Sequence, residues 1–351
     1  MPEIHHYKLT PNSISGVLTL LSPHLPHSLS LYRRLQFRNF SPSARLLSTL
    51  SISSNDPSTP ANQTPTPKWI IAFADRSRRP ETEVFLFSSW ESDPDSSSHS
   101  SIPSDKEAQT LVAALLGALA DLPIPPSSEP HDLASQTAQD GNIYTSHLSN
   151  PQLILLGAIH DTTALLIRNS GALVPSSLEE TGMPEAYHRW VFPLHRLSSV
   201  SSERFPLSAG LVFGELREED FGLVRARTAI PRQDRTLRSL PRVGVYDCTG
   251  SGREVAEEGQ APVAWAFLGV DGSLSTLHVE EGYRGRGVAR AVATRLWEGE
   301  LRLFTGVDDG ERWASADVAT YNRESNAVCK GLGGEVAYID HWLRVDLEKV
   351  R

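Results

Sequence analysis

The 351-residue chain contains two cysteines, Cys248 and Cys329, and neither sits in a C-x-x-C pair. That scarcity excludes a disulfide-stapled scaffold and a cysteine zinc knuckle, and it fits a reducing compartment. Positive charge is in deficit: 33 Lys and Arg stand against 42 Asp and Glu, a formal charge of −9. A general polyanion binder leans the other way, so nucleic acid is not expected as the main partner. Long hydrophobic runs are missing too. The longest strongly apolar stretch, 111–122, is too short to cross a bilayer. The opening MPEIHHYKLTPNSISG has no basic segment followed by an apolar core, so no secretory signal is read. These absences together predict a soluble, cytoplasmic protein without a membrane partner. His5, His6, His24 and His27 lack a carboxylate or cysteine at ligand spacing, so no metal is expected. His160 and Asp161 are adjacent, but no G-x-S-x-G elbow accompanies them, and a serine hydrolase is not read.

What is present divides by texture. A length of 351 residues corresponds to about two domains. Segments 51–68, 90–105 and 123–141 are rich in Ser, Pro, Thr and Asp, and are read as disordered surface loops. Between them, 69–73 and 83–87 read as a hairpin of two strands and 152–159 as another strand. Residues 106–122 carry apolar side chains at helical spacing, with Ser104 or Asp105 as N-cap. From about 221 the insertions vanish. Strands are predicted at 243–246, 261–270, 273–279, 313–318 and 335–347, with helices at 288–297 and 325–332. The expected division is therefore 1–220, mixed α and β, and 221–351, an α/β layer.

The most informative residues are Tyr283, Arg284, Gly285, Arg286, Gly287, Val288 and Ala289, between a predicted strand and a predicted helix. Glycines permit a tight turn and close ligand approach. The helix that follows begins with unpaired N–H groups and a partial positive charge. A strand, a glycine loop and a helix in this order hold a phosphate. Arg284, Arg286 and Arg290 add fixed positive charge. The loop lacks the Lys-Ser/Thr of a Walker A motif and the third glycine of a dinucleotide fingerprint.

The stretch Arg284-x-x-Gly287-x-Ala289 resembles the signature of the GCN5-related N-acetyltransferase (GNAT) superfamily, Arg/Gln-x-x-Gly-x-Gly/Ala. Asn322-x-x-Ser325, followed by a Gly-rich end at Gly333, resembles that family's second feature. The stretch from Ile230 to Arg284 further resembles the glycine N-acyltransferase-like and FR47-like branch. The resemblance covers about 221–351. It implies the GNAT fold, an α/β (α+β) architecture with a mixed central sheet flanked by helices. It also implies a degenerate GNAT-like N-terminal half, although 1–220 carries no motif. Acetyl-CoA or another acyl-CoA is the implied cosubstrate, and the primary amine of a small molecule or amino acid the implied acceptor. By position, Gly285, Arg286, Gly287, Val288 and Ala289 would hold the CoA pyrophosphate, with Arg284 and Arg290 beside them. Leu277 and Val279 would pair with the pantetheine arm as an added strand. Asn322 and Ser325 would meet the pantetheine amides.

The chemistry implied is direct attack by a neutral amine, which needs a base. His278, Glu280 and Asp317 are the candidates, with Asp317 read more as an orienting residue than as the base. Cys329 stands where many GNAT enzymes carry a tyrosine that protonates the leaving thiolate. It reads either as a weak donor or as a small buried residue. Ser273 stands where this branch places a basic Glu. Those two departures leave a rival reading: an acyl-CoA-binding protein that has lost catalysis. The run Arg225, Arg227, Arg232, Arg235, Arg238 and Arg242 reads as a solvated face, with an anionic acceptor or the CoA 3′-phosphate as the alternative contact.

Overall fold

In the computed structural model, residues 2–52, 67–93, 105–126, 138–174, 185–193, 205–228, 232–249, 259–304 and 313–350 are described. The chain forms two units, Met1–Glu129 with Ile143–Tyr187 and Tyr338–Arg351, and Pro130–Asn142 with His188–Ala337. This departs from the expected 1–220 and 221–351 division. The reason lies in two strands that leave their sequence neighbours. β6 (Ala186–Pro193) lies beside a strand of the second unit, and β12 (Glu335–Asp346), the last strand, pairs with the first.

In the first unit, β1 (His5–Lys8), β2 (Arg45–Ser48), β3 (Ile70–Ala74), β4 (Val84–Ser88) and β5 (Leu153–His160) lie in chain order, with β12 antiparallel to β5. The expected hairpin is β3 and β4, paired from Ile70 opposite Ser88 to Ala74 opposite Val84. Period-two alternation sends Ile70, Ala72, Val84 and Leu86 to one face. There they meet Leu111, Val112, Leu115, Leu116 and Leu119 of α3 (Lys106–Ala120), in one core with Leu343 and Val345 of β12. Asp105 is the cap, its carboxylate accepting from the Ala108 amide at 3.1 Å. Helices α1 (Pro11–Leu21) and α2 (Leu29–Phe37), unread in the sequence, bury Val17, Leu21, Leu31 and Leu35 completely. At the mouth of the β3–β4 turn, buried Glu83 accepts from Arg76 at 2.9 Å and from the Leu155 amide at 3.1 Å, and pairs with His147 at 2.8 Å.

Most of the three expected loops lie outside the described residues. Their described ends correct the reading. Trp90 is 3% exposed, belongs to the same core, and donates to Thr163 at 3.1 Å. Residues Ala138–Ser149 form α4, and Asp161–Asn169 form α5. His160 accepts from the Thr162 amide as the cap of α5, and Asp161 pairs with His341 at 2.8 Å, which occupies both in structural roles.

The second unit orders its strands β6, β11 (Trp313–Ala319), β10 (Ser273–Val279), β9 (Ala264–Leu268), β8 (Arg242–Asp247) and β7 (Leu211–Gly214). Short helices α6 (Phe221–Arg227) and α7 (Asp234–Ser239) link β7 to β8. α8 (Val288–Glu300) follows β10 and packs Val288, Val292 and Leu296 inward; α9 (Arg323–Gly331) follows β11. No helix among the described residues is long and apolar enough to cross a membrane.

Leu343 is fully buried on β12. Replacing it with alanine deletes core atoms of the first unit, so Leu343→Ala should cost about 2–5 kcal/mol in chemical denaturation of that unit. A cost near zero would show that the last strand does not belong to its core.

Candidate functional site

Every sequence-predicted site residue falls in the second unit. They gather around one irregularity, the middle of β10. Its pairing with β9 runs Leu274 opposite Leu268 and Ser275 opposite Phe267, then resumes at His278 opposite Trp265. The shift is a bulge, and Thr276 within it has φ 53°. With β11, β10 is parallel and in register at Ser273 with Ser315 and Leu274 with Ala316. Past that point no further β10–β11 pairs are formed among the described residues. Among those residues the edge of Leu277, His278 and Val279 that faces away from β9 has no neighbouring strand, the condition an extended ligand needs to add itself to a sheet.

The chain leaves β10 through a 3₁₀ turn at Glu281–Tyr283 and enters the glycine loop. Gly285 has φ +73° and Gly287 φ +80°, values that L side chains rarely adopt. A Cβ at either would meet nothing within 4 Å. The glycines are therefore required by backbone conformation, and the space beside them is open. The first bonds of α8 run from the Arg290 and Ala291 amides to the Gly287 carbonyl at 3.1 Å each. The amides ahead of them, through Gly285, are the unpaired donors of a helix start. Free amides at a helix start suit an anionic group such as a phosphate, with the N-terminus of α8 supplying the favourable dipole.

The three loop arginines do not all point one way. Arg284 Nε donates to the Val279 carbonyl at 2.9 Å, at the end of β10. Arg286 lies over Tyr283, 5.6 Å from the ring centre, and Tyr283 donates to Asp247 at 2.7 Å. Arg290 lies over Phe205 at 5.0 Å. The loop is locally cationic, but its arginines also brace it.

His278 stacks on fully buried Trp265, ring centres 4.6 Å apart and 22° between planes. Burial pushes its pKa below the ordinary 6.5, while Glu280, 3.6 Å from Nε2, pulls the other way. Glu280 in turn accepts from Arg227 at 2.9 Å. The result is a neutral imidazole with a carboxylate behind it. Asp317 is held by fully buried Arg189, whose Nη1 lies 2.7 Å from both carboxylate oxygens and 3.6 Å from Asp271. Asp271 locks the β9–β10 turn by accepting from Ser273 Oγ at 2.7 Å. Ser273 is thereby occupied. Cys329 is 2% exposed, and burial, with Asp317 nearby, raises its thiol to about 12. A thiol that weak as an acid does not favour protonating another thiolate. The packing role fits it better.

Asn322 departs from its expected role in one respect. Its Oδ1 accepts from the Ser325 amide at 3.0 Å, so the pair forms the N-cap of α9. The neighbour that sequence reasoning missed is Asn326. Its Oδ1 accepts from Trp190 Nε1 at 2.8 Å and lies 2.9 Å from His188 Nδ1, while its Nδ2 donates to the carbonyls of Ala319 and Asn322. The basic run is not a bare solvated face either. Arg225 pairs with Asp234, Arg227 with Glu280 and Arg238 with Glu218. Among the described residues no group of three His, Cys, Asp or Glu is placed to hold a metal.

Residues 2–191, more than half of the chain, match the acyl-CoA N-acyltransferase verG N-terminal domain. The chain belongs to that family, and the mixed sheet flanked by helices agrees with the expected α/β architecture. A Drosophila protein of known crystal structure shares the fold at 14% identity and TM-score 0.53, covering 97% of this chain and 98% of that one. More distant are a tandem GNAT protein from the clavulanic acid biosynthesis pathway (12% identity, TM-score 0.41, 98% and 99% covered) and a GCN5-related N-acetyltransferase from Sphaerobacter thermophilus (10%, 0.44, 98% and 96%). No curated protein matches the sequence.

Because Gly287 combines a left-handed φ with open space, Gly287→Glu should abolish acetyl-CoA binding through crowding and charge. Isothermal titration measures it, and unchanged affinity would remove the loop from the site.

Proposed function

We propose that the second unit transfers an acyl group from a CoA thioester to the primary amine of a small acceptor by direct attack. The observation that carries this is the open edge of Leu277–Val279, ending at the left-handed Gly285–Gly287 loop and flanked by a neutral His278. The first unit then serves as the degenerate GNAT-like half.

The residues divide the work as follows. Amides from Gly285 to Ala289 hold the diphosphate, and the β10 edge aligns the pantetheine arm. His278 takes the proton of the acceptor ammonium, directly or through water, which frees the lone pair on nitrogen. That nitrogen bonds to the thioester carbonyl carbon, the C–S bond breaks, and CoA leaves as a thiolate. A backbone N–H near Val279 steadies the developing oxyanion. The second proton shed by the nitrogen balances the thiolate, with solvent as the carrier. Glu280 supports the imidazolium that His278 becomes, and Arg227 positions Glu280. Asp317 and Arg189 hold β11 and do not touch the reacting atoms.

Release of free CoA thiol from acetyl-CoA across an amine panel tests the proposal. Turnover separates an enzyme from an acyl-CoA-binding protein; binding without turnover on any amine would overturn it. His278→Ala should lower kcat/KM by about 10²–10⁴-fold. The acid limb of the kcat/KM profile should lie below pH 6.5, because activity needs the neutral imidazole and burial lowers its pKa. Glu280→Gln removes the negative charge that raises that pKa, so the limb should move to lower pH. A limb that stays in place would separate Glu280 from His278.

A further inference from the structure

Acyl transfer to an ammonium releases two protons from the acceptor nitrogen, one before attack and one after it. His278 takes the first. Cys329, buried and raised to about 12, is a poor partner for exchanging the second. His188, on β6, has no part in that scheme, and its hydrogen bonds determine its tautomer.

The determinant is Asn326 on α9. Its Nδ2 donates to the Ala319 carbonyl at 3.0 Å and the Asn322 carbonyl at 2.7 Å, and its Oδ1 accepts from Trp190 Nε1 at 2.8 Å. The reverse orientation would set the amide NH₂ against the indole N–H and the amide oxygen against two carbonyls, so one orientation alone satisfies its neighbours. An amide oxygen accepts and does not donate. His188 Nδ1, 2.9 Å from that oxygen, therefore carries a proton. In the neutral ring the lone pair is then on Nε2. That nitrogen makes no hydrogen bond among the described residues, is not enclosed, and belongs to a side chain only half-buried.

The same network sets where Nε2 lies. β10 and β11 run parallel, and a parallel sheet meets its ligands at the carboxyl ends of its strands. Ala319 is the carboxyl end of β11, and one amide group joins its carbonyl to His188. His278 stands on the β10 side of the opening between the two strands. His188 stands on the β11 side, at the same end of the sheet.

We propose that His188 is the second proton acceptor of the cleft, with Asn326 as the positioning residue that keeps its Nε2 free to accept. The proposal rests on the acyl-transfer reading above. After attack the acceptor nitrogen carries the surplus proton. As the C–S bond breaks, that proton passes to Nε2 and the N–H electron pair stays on nitrogen. The imidazolium then gives the proton, through water, to the CoA thiolate, which returns His188 to its starting state. Atoms and charge balance without a further reactant.

The test uses the full chain, acetyl-CoA, an amine that turns over in the thiol-release assay, and ¹⁵N spectra of the histidine rings. The His188 ring should show the neutral Nδ1–H pattern in the unaltered protein and lose it in Asn326→Ala. His188→Ala should lower kcat by about 10²-fold, with KM for the amine and acetyl-CoA affinity unchanged, and added imidazole should restore part of kcat. Asn326→Ala should lower kcat too, and the double variant should be no slower than His188→Ala, because the two residues act as a unit. Full kcat in His188→Ala would overturn the proposal, as would an Nε2–H ring pattern in the unaltered protein. A loss that imidazole does not relieve and that adds to the loss in Asn326→Ala marks a structural role and would overturn it as well. If the unaltered protein turns over no amine, acyl transfer itself fails and the role of His188 with it; turnover that is indifferent to His188 sinks that role alone.

Discussion

The site depends on one buried ion cluster. Arg189 of β6 is fully buried and bonds both oxygens of Asp317 on β11, while Asp271 in the β9–β10 turn lies 3.6 Å from the same nitrogen. Taking these charges out of water is unfavourable, and their mutual attraction offsets that cost only because the geometry satisfies the carboxylates. The cluster ties β6, β11 and the start of β10 together. Beyond it, β10 takes its bulge and no longer pairs with β11. The open edge, the position of His278 and the direction from which the glycine loop is reached all follow from where that tether ends.

Electrostatics around the edge are local and compensated. The chain carries a net −9, yet its basic residues are not spread as a field. Arg227 moderates Glu280, Arg284 braces Val279, and Arg286 sits over Tyr283 next to Asp247. What remains for a phosphate is mainly backbone: the amides ahead of Arg290 at the start of α8. Backbone donors fixed by two left-handed glycines need no reorganisation when the ligand arrives, whereas long side chains lose rotamer freedom.

How much of this was legible in the sequence varies with the kind of signal. The loop was, since Gly285 and Gly287 before an apolar-striped helix have few other uses. The strand carrying His278 was also legible from its alternation. The bulge at Thr276 was not, because one residue in a left-handed conformation leaves no periodic trace. Arg189 was invisible: it lies 128 positions from Asp317, and only folding brings them together. Asn322 and Ser325 were found, but the same spacing that resembles a ligand motif also caps a helix, and the cap is what forms. Trp90 was hidden by the Ser-rich composition beside it. The family match covers 2–191, where no short motif stands out, because that unit is specified by dispersed core positions such as Leu47, Leu115 and Ile154.

The most direct test of the account follows amide hydrogen exchange along the chain with and without saturating acetyl-CoA. Protection should rise at Leu277–Val279 and from Gly285 to Ala289, where the ligand adds as a strand and its diphosphate meets the start of α8. Binding that leaves those amides exchanging at their free rates, with protection elsewhere, would contradict the assignment of the site.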